Sequence, residues 1–251
     1  MQLDYSEPGV FGVSMIPYID SILEDFPEEI TKSSPCPHNQ NLFRVREEGE
    51  ANYLPEDQAM KFHHSVAQLV FLQKRARRDI QTASSFLSSR VKKPDEDDWG
   101  KLRRVLQYLK GTRSLKLRIS VEDLKEAKWY IDASHNVHWD CKGQTGGGMT
   151  LGKGACISGS NKQKTNSKSA CETELIGVDD YISLVLWSLY FIQAQGVDMS
   201  NARIYQDNKS TILLENNGKM SSSKRTKHIK SKFFFITDRI HQGEVAVEYL
   251  P

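Results

Sequence analysis

No long hydrophobic run occurs in this chain of 251 residues. The longest apolar stretch, around Tyr181 to Ala194, is short and interrupted, so the sequence predicts no membrane span. The start, MQLDYSEPGVFGV, has neither the basic opening nor the apolar core of a secretory signal. An intracellular protein is expected. Cysteine is scarce: Cys36, Cys141, Cys156 and Cys171 make no C-x-x-C pair and no cluster with histidine, which excludes a zinc knuckle and a disulfide framework. Strong charge of either sign is missing too. With a net charge of +2, any affinity for a polyanion must come from local patches. What remains, 38% hydrophobic and 26% charged residues, is the composition of an ordinary globular chain able to bury a core.

The first half of the chain has helical periodicity. In VSMIPYIDSILEDF, residues Ile16, Ile19, Ile22, Leu23 and Phe26 fall on one helical face, and in EDQAMKFHHSVAQLVFLQKRA the residues Phe62, Val66, Leu69 and Val70 do the same. Between them lies an acidic segment from Asp20 to Asp57 with the loop-like TKSSPCPHNQN at 31–41. A further helix is predicted over PDEDDWGKLRRVLQYLKGT, which opens on Pro94 and four acids and closes on Lys110 and Gly111. That charge order suits the helix dipole.

From Lys128 the period changes. KWYIDAS, GGGMTLGKG and ACISGSNKQ are short apolar or alternating runs divided by glycine-rich turns, as three antiparallel strands require. ETELIGVDDYISLVLWSLYFIQAQG carries Leu175, Val178, Ile182, Val185, Leu189 and Ile192 at helical spacing, with Gly196 as its stop. ARIYQDN and VAVEYLP read as a fourth and a fifth strand. The order β-β-β-α-β-α-α-β predicts an α/β layer architecture. Trp129, Trp187 and Phe233 to Phe235 are expected in the core, and Asp179 and Asp180 on a solvated helix face.

Three carboxylates stand out in this frame. Asp132 ends the first strand, Glu174 lies at the start of the long helix, and Asp207 ends the fourth strand. A right-handed crossover through that helix would make the first and fourth strands parallel neighbours and let the three acids converge. Like charges repel, so such a cluster needs a cation, and an oxygen-only ligand set without His or Cys suits Mg²⁺ or Mn²⁺. Two ions about 4 Å apart would serve in-line phosphodiester cleavage. The competing reading of each acid is a turn-former or helix cap.

The stretches YIDAS, TGGGMTLGKGA, SKSACETELIGVDD, YQDNKSTILLE and KRTKHI, in this order, resemble the ribonuclease H domain of copia-type retrotransposon Pol polyproteins. FLQKRARRDIQTASSFLSSRV and KLRRVLQYLKGT resemble the connection region before it, and VSMIPYIDSILEDFP the tail of the reverse transcriptase. The resemblance implies a reverse transcriptase tail and acidic linker over 1–55 and a helical connection region over 56–125. Over 126–251 it implies a ribonuclease H-like domain, a mixed five-stranded sheet with helices, that lacks its C-terminal part. It further implies Asp132, Glu174 and Asp207 as catalytic metal ligands for two Mg²⁺ or Mn²⁺ ions, an RNA/DNA hybrid as substrate and the remainder of the polyprotein as partner. Cytoplasmic particles or the nucleus would be the setting, with no membrane. Glu172 rivals Glu174, but the pattern ELIGV favours Glu174. Two departures stand out. Lys230 occupies a position where the family commonly has an acid, and the family's fourth carboxylate would fall beyond Pro251. No paired aspartate at a hairpin turn suggests a polymerase centre. A catalytically inactive nucleic-acid-binding remnant is the rival reading.

Basic residues supply the second signal. KMSSSKRTKHIKSK, 219–232, holds six lysines or arginines and no acid, which predicts nucleic-acid contacts from Lys224, Arg225, Lys227, His228 and Lys230. The plain alternative is a solvated charge run. KRARR at 74–78 is a second patch, equally readable as an exposed helix end.

Overall fold

A computed structural model of the chain describes residues 1–218 and 231–251. The chain divides into two compact units, Met1–Arg118 and Ile119–Pro251. In the first, strands β1 (Gln2–Asp4) and β2 (Val10–Ser14) pair antiparallel, and β3 (Leu117–Ser120), in which the division between the units falls, completes a sheet of order β1-β2-β3. Four helices supply the rest: α1 (Ile16–Asp25), α2 (Glu56–Gln73), α3 (Gln81–Arg90) and α4 (Glu96–Gly111).

Of these four helices, α4 alone has a side-chain cap at its start. At α4 the Asp95 side chain accepts from the Asp98 N–H while the Asp98 carboxylate accepts from the Asp95 N–H, a reciprocal capping box. Ile19, Ile22, Phe62, Leu69, Leu102 and Leu106 bury the apolar stripes in one core. Neither the β1–β2 pair nor α3 announces itself in the sequence. Helix α3 is rich in serine, a poor helix interior residue because its hydroxyl competes for backbone groups. Here the hydroxyls turn back onto their own helix, Ser84 to the Ile80 carbonyl at 2.9 Å and Ser88 to that of Ser85 at 2.7 Å, and tertiary burial of Ala83, Phe86 and Leu87 does the rest.

The second unit is an α/β structure built on a mixed five-stranded sheet. Its elements run β4 (Glu126–Ser134), β5 (Gln144–Thr150), β6 (Ile157–Lys162), α5 (Ala170–Ala194), β7 (Asn201–Gln206), α6 (Lys209–Asn217), α7 (Phe235–His241) and β8 (Val245–Tyr249). The sheet order is β6-β5-β4-β7-β8, antiparallel from β6 to β4 and parallel from β4 to β8. That is the element order the sequence predicts.

One face of β4 carries Ala127, Trp129 and Ile131 into the core, where Val178, Tyr181, Ile182, Val185 and Leu189 of α5 meet them. The Tyr181 side chain lies against Gly147 of β5 and Gly159 of β6, and a Cβ at Gly147 would stand 2.7 Å from its ring, so β5 admits no side chain there. Helix α5 is long and apolar enough to cross a bilayer, with a mean hydropathy of 1.5, which the interrupted run in the sequence does not suggest. Yet 56% of that window is buried, and packing on the sheet accounts for its composition.

Two expected core residues are surface residues. Trp187 is 53% exposed and stacks on Phe191 at 5.1 Å, because it lies on the opposite side of α5 from the Val178–Ile182–Val185–Leu189 stripe. Phe235 is 43% exposed, since α7 turns Ile236 and Thr237 inward instead. Trp129, Phe233 and Phe234 are buried as expected.

Candidate metal centre

Parallel pairing of β4 and β7 sets Tyr130 opposite Tyr205 in register, and two residues further along the same face stand Asp132 and Asp207. Asp207 is held at a junction: the Leu250 N–H binds the carbonyl of Gln206 at 2.8 Å on one side, and Asn208 caps α6 on the other by accepting from Ser210 and Thr211. Both aspartates are exposed.

Glu174 reaches them from α5, whose start is tied down by a polar network. Ser169 caps the helix by accepting from the Glu172 N–H at 3.2 Å. The Thr173 hydroxyl lies 2.5 Å from Ser167 Oγ and 2.8 Å from His135 Nδ1, and Gln163 donates to both Thr145 Oγ1 and the Thr173 carbonyl. One turn on, a Cβ at Gly177 would stand 3.1 Å from that of Ala133, so glycine permits the close approach of α5 to β4. Glu174 is thereby carried to the strand ends.

One carboxylate oxygen from each of Asp132, Glu174 and Asp207 lies within 4.8 Å of the others. Glu174 is buried, and burial first, then the negative charge of Asp132, pushes its carboxyl up to about 8; the Ala133 backbone N–H opposes the shift. The arrangement is costly on its own terms, because three acids share a small space and none of them has an ion pair among the described residues. An oxygen-only donor set of this size fits a hard divalent ion, which would favour the ionised form of Glu174.

Among the acids weighed from sequence, Glu172 stands apart from this cluster, its carboxylate accepting the Lys168 backbone N–H at 2.7 Å. Asp180 is exposed and accepts from the Thr145 hydroxyl at 3.1 Å. The proposed nucleic-acid contacts Lys224, Arg225, Lys227, His228 and Lys230 all lie outside the described residues. Of the KRARR patch, Arg77 is 1% exposed and ion-paired with Asp79 at 2.7 Å, and Arg75 covers the Phe71 ring, so much of it is structural.

Two residues near the cluster carry no sequence signal. His135 follows β4 and joins the Thr173 network. Glu215 on α6 is wholly buried, with Gln206 as its polar neighbour, and burial followed by the charge of Glu174 holds its carboxyl well above the usual range. In ILLENN it reads as the polar end of a short helix.

No protein-family model matches the chain. Over 239 residues, 92% of the chain, it is 26% identical to the retrovirus-related Pol polyprotein from transposon TNT 1-94 of Nicotiana tabacum. Over 176 residues, 69% of the chain, it is 29% identical to that from transposon RE2 of Arabidopsis thaliana. The chain spans 17% and 12% of the lengths of these relatives. Among solved structures, RNase H1 of the halophilic archaeon Halobacterium salinarum matches 50% of this chain and 86% of its own, at 12% identity and a TM-score of 0.32.

Proposed function

Because its homologues are retrovirus-related Pol polyproteins of plant transposons, we propose that the chain is a segment of a copia-type polyprotein. Its second unit hydrolyses the RNA strand of an RNA/DNA hybrid, inside the cell and joined to the rest of that polyprotein. The observation that carries the reading is the convergence of Asp132, Glu174 and Asp207 where β4, β7 and α5 meet. Acids forced together against their own repulsion, at the end of parallel strands joined by a crossover, favour a metal site over three unrelated caps.

Asp132 and Asp207, exposed at the rim, would hold two Mg²⁺ or Mn²⁺ ions from the strand side and Glu174 from the helix side. Bound there, the ions supply an activated water and neutralise the leaving oxygen of an in-line displacement. The residues of the chain do the positioning. Asn208 fixes the end of β7, the Thr173 network fixes the start of α5, and Glu174 gives up its proton when the site is loaded. Lys224, Arg225, Lys227, His228 and Lys230 are proposed to meet phosphates of the hybrid.

The test is cleavage of a labelled RNA strand in a hybrid with Mg²⁺, alongside binding of the same hybrid. Asp132→Asn should cut the rate by at least about 100-fold and leave binding intact or tighter, while Glu172→Gln should keep activity. Wild-type protein that binds hybrid and does not cleave it would instead favour the catalytically inactive binding remnant.

A further inference from the structure

The first unit contains an open cleft of about 350 Å³ between α4 and the segment before α2. Arg46 and Arg104 line it together with the amide side chains of Asn41 and Gln107. Two other arginines of this unit, one of them also lining the cleft, are paired: Arg103 with Glu28 at 3.3 Å and Arg113 with Asp20 at 2.9 Å. Arg46 and Arg104 make no ion pair among the described residues. The Arg104 Nε is moreover shut off from solvent without an acceptor there, an expensive condition for a charged donor.

The acids of the cleft are already engaged. Asp97 pairs with Lys101 at 2.8 Å, and Glu96 accepts from Asn52 at 3.3 Å. Gly100, one turn before Arg104 on α4, leaves the floor open, since a Cβ there would meet nothing within 4 Å. Two unmatched guanidinium forks beside amide donors form a receptor for a tetrahedral oxyanion, because the fork presents parallel N–H groups at the spacing of two phosphate oxygens.

We infer that this cleft binds phosphate groups, and, on the reading proposed above, those of a nucleic-acid backbone held by the first unit. A backbone contact of this kind positions the strand without reading sequence.

The experiment uses the full chain. Affinity for a short RNA/DNA hybrid is measured across a salt series for wild type, Arg46→Ala, Arg46→Ala with Arg104→Gln, and Arg118→Ala as a charge-matched control outside the cleft. Each lost contact should lower the slope of log affinity against log salt by about 0.9, so Arg46→Ala should fall by one step and the double variant by two, with Arg118→Ala unchanged. Arg46 is exposed, so its removal reports on the cleft without threatening the fold. A slope equal to wild type in both cleft variants overturns the inference and leaves the ribonuclease reading standing. If wild type does not bind hybrid at all, the ribonuclease reading fails, and titration with inorganic pyrophosphate then decides for the cleft. A shift of the Arg104 Nε–H resonance that vanishes in Arg46→Ala supports a site for free phosphates, and no shift overturns it.

Discussion

The two units treat buried charge in opposite ways. In the first, Arg77 is sealed from solvent against Asp79 and the carbonyl and hydroxyl of Thr112, and Arg90 meets Asp98 at 2.9 Å. Arg77 and Asp98, both taken from water, each have an opposite charge beside them. In the second, buried Glu174 lies near Asp132 and Asp207 on one side and feels the buried Glu215 on the other, so like charges are collected instead. Matched pairs hold a fold together, whereas an assembled excess of one sign is stable only with something of the other sign bound. The contrast separates paired charge from collected charge within one chain.

The largest effect should come from breaking a matched pair. Arg77→Ala strands Asp79 and two groups of Thr112, and should destabilise the first unit by roughly 3 kcal/mol or more, read as a fall in the denaturant midpoint. Next, Gly147→Ala forces a methyl group into the Tyr181 ring and should cost about 1 to 3 kcal/mol in the second unit, read the same way. An unchanged midpoint in either would mean that the pair, or the ring contact, is slack in solution.

The collected acids should respond to pH in the direction that pairing forbids. Glu174 is raised to about 8 in the folded protein from an ordinary value of 4.5. A carboxyl raised on folding favours the folded state at low pH, and that contribution is lost as pH rises from its ordinary value through 8. Metal-free protein should therefore lose stability across that window, and Mg²⁺ affinity should climb by up to about tenfold per unit until pH 8, because below it the ion must displace a proton. Calorimetric titration at several pH values measures both. A flat profile would mean Glu174 is already ionised.

The smallest effect is expected at Glu215. Burial raises its carboxyl in the same sense, so Glu215→Gln should gain stability over wild type as pH increases, with little difference at acidic pH. Thermal unfolding at pH 5 and pH 8 checks the sign. A variant that loses stability at pH 8 would assign Glu215 an ionised partner.

Much of this organisation is legible in the sequence, and the exceptions have physical causes. The change of period at Lys128, the crossover helix and the acids at two strand ends are properties of local pattern, and together they bring Asp132, Glu174 and Asp207 to one place. Helix α3 escapes because serine hydroxyls satisfied by their own helix leave no apolar periodicity. Residues in α6 and α5 mislead because phase is set by packing: Leu213 is 61% exposed while Glu215 is buried, and Trp187 faces out. Hydropathy ranks residues, but only the fold decides which side of a short helix turns inward.

The central claim is that the collected carboxylates exist to hold a divalent cation, and Mn²⁺ binding by calorimetry tests it without relying on activity. Wild type and Glu172→Gln should bind Mn²⁺ alike, while Asp132→Asn should weaken binding at least about tenfold. Equal affinity in wild type and Asp132→Asn would contradict the claim and return the three acids to the status of strand and helix ends.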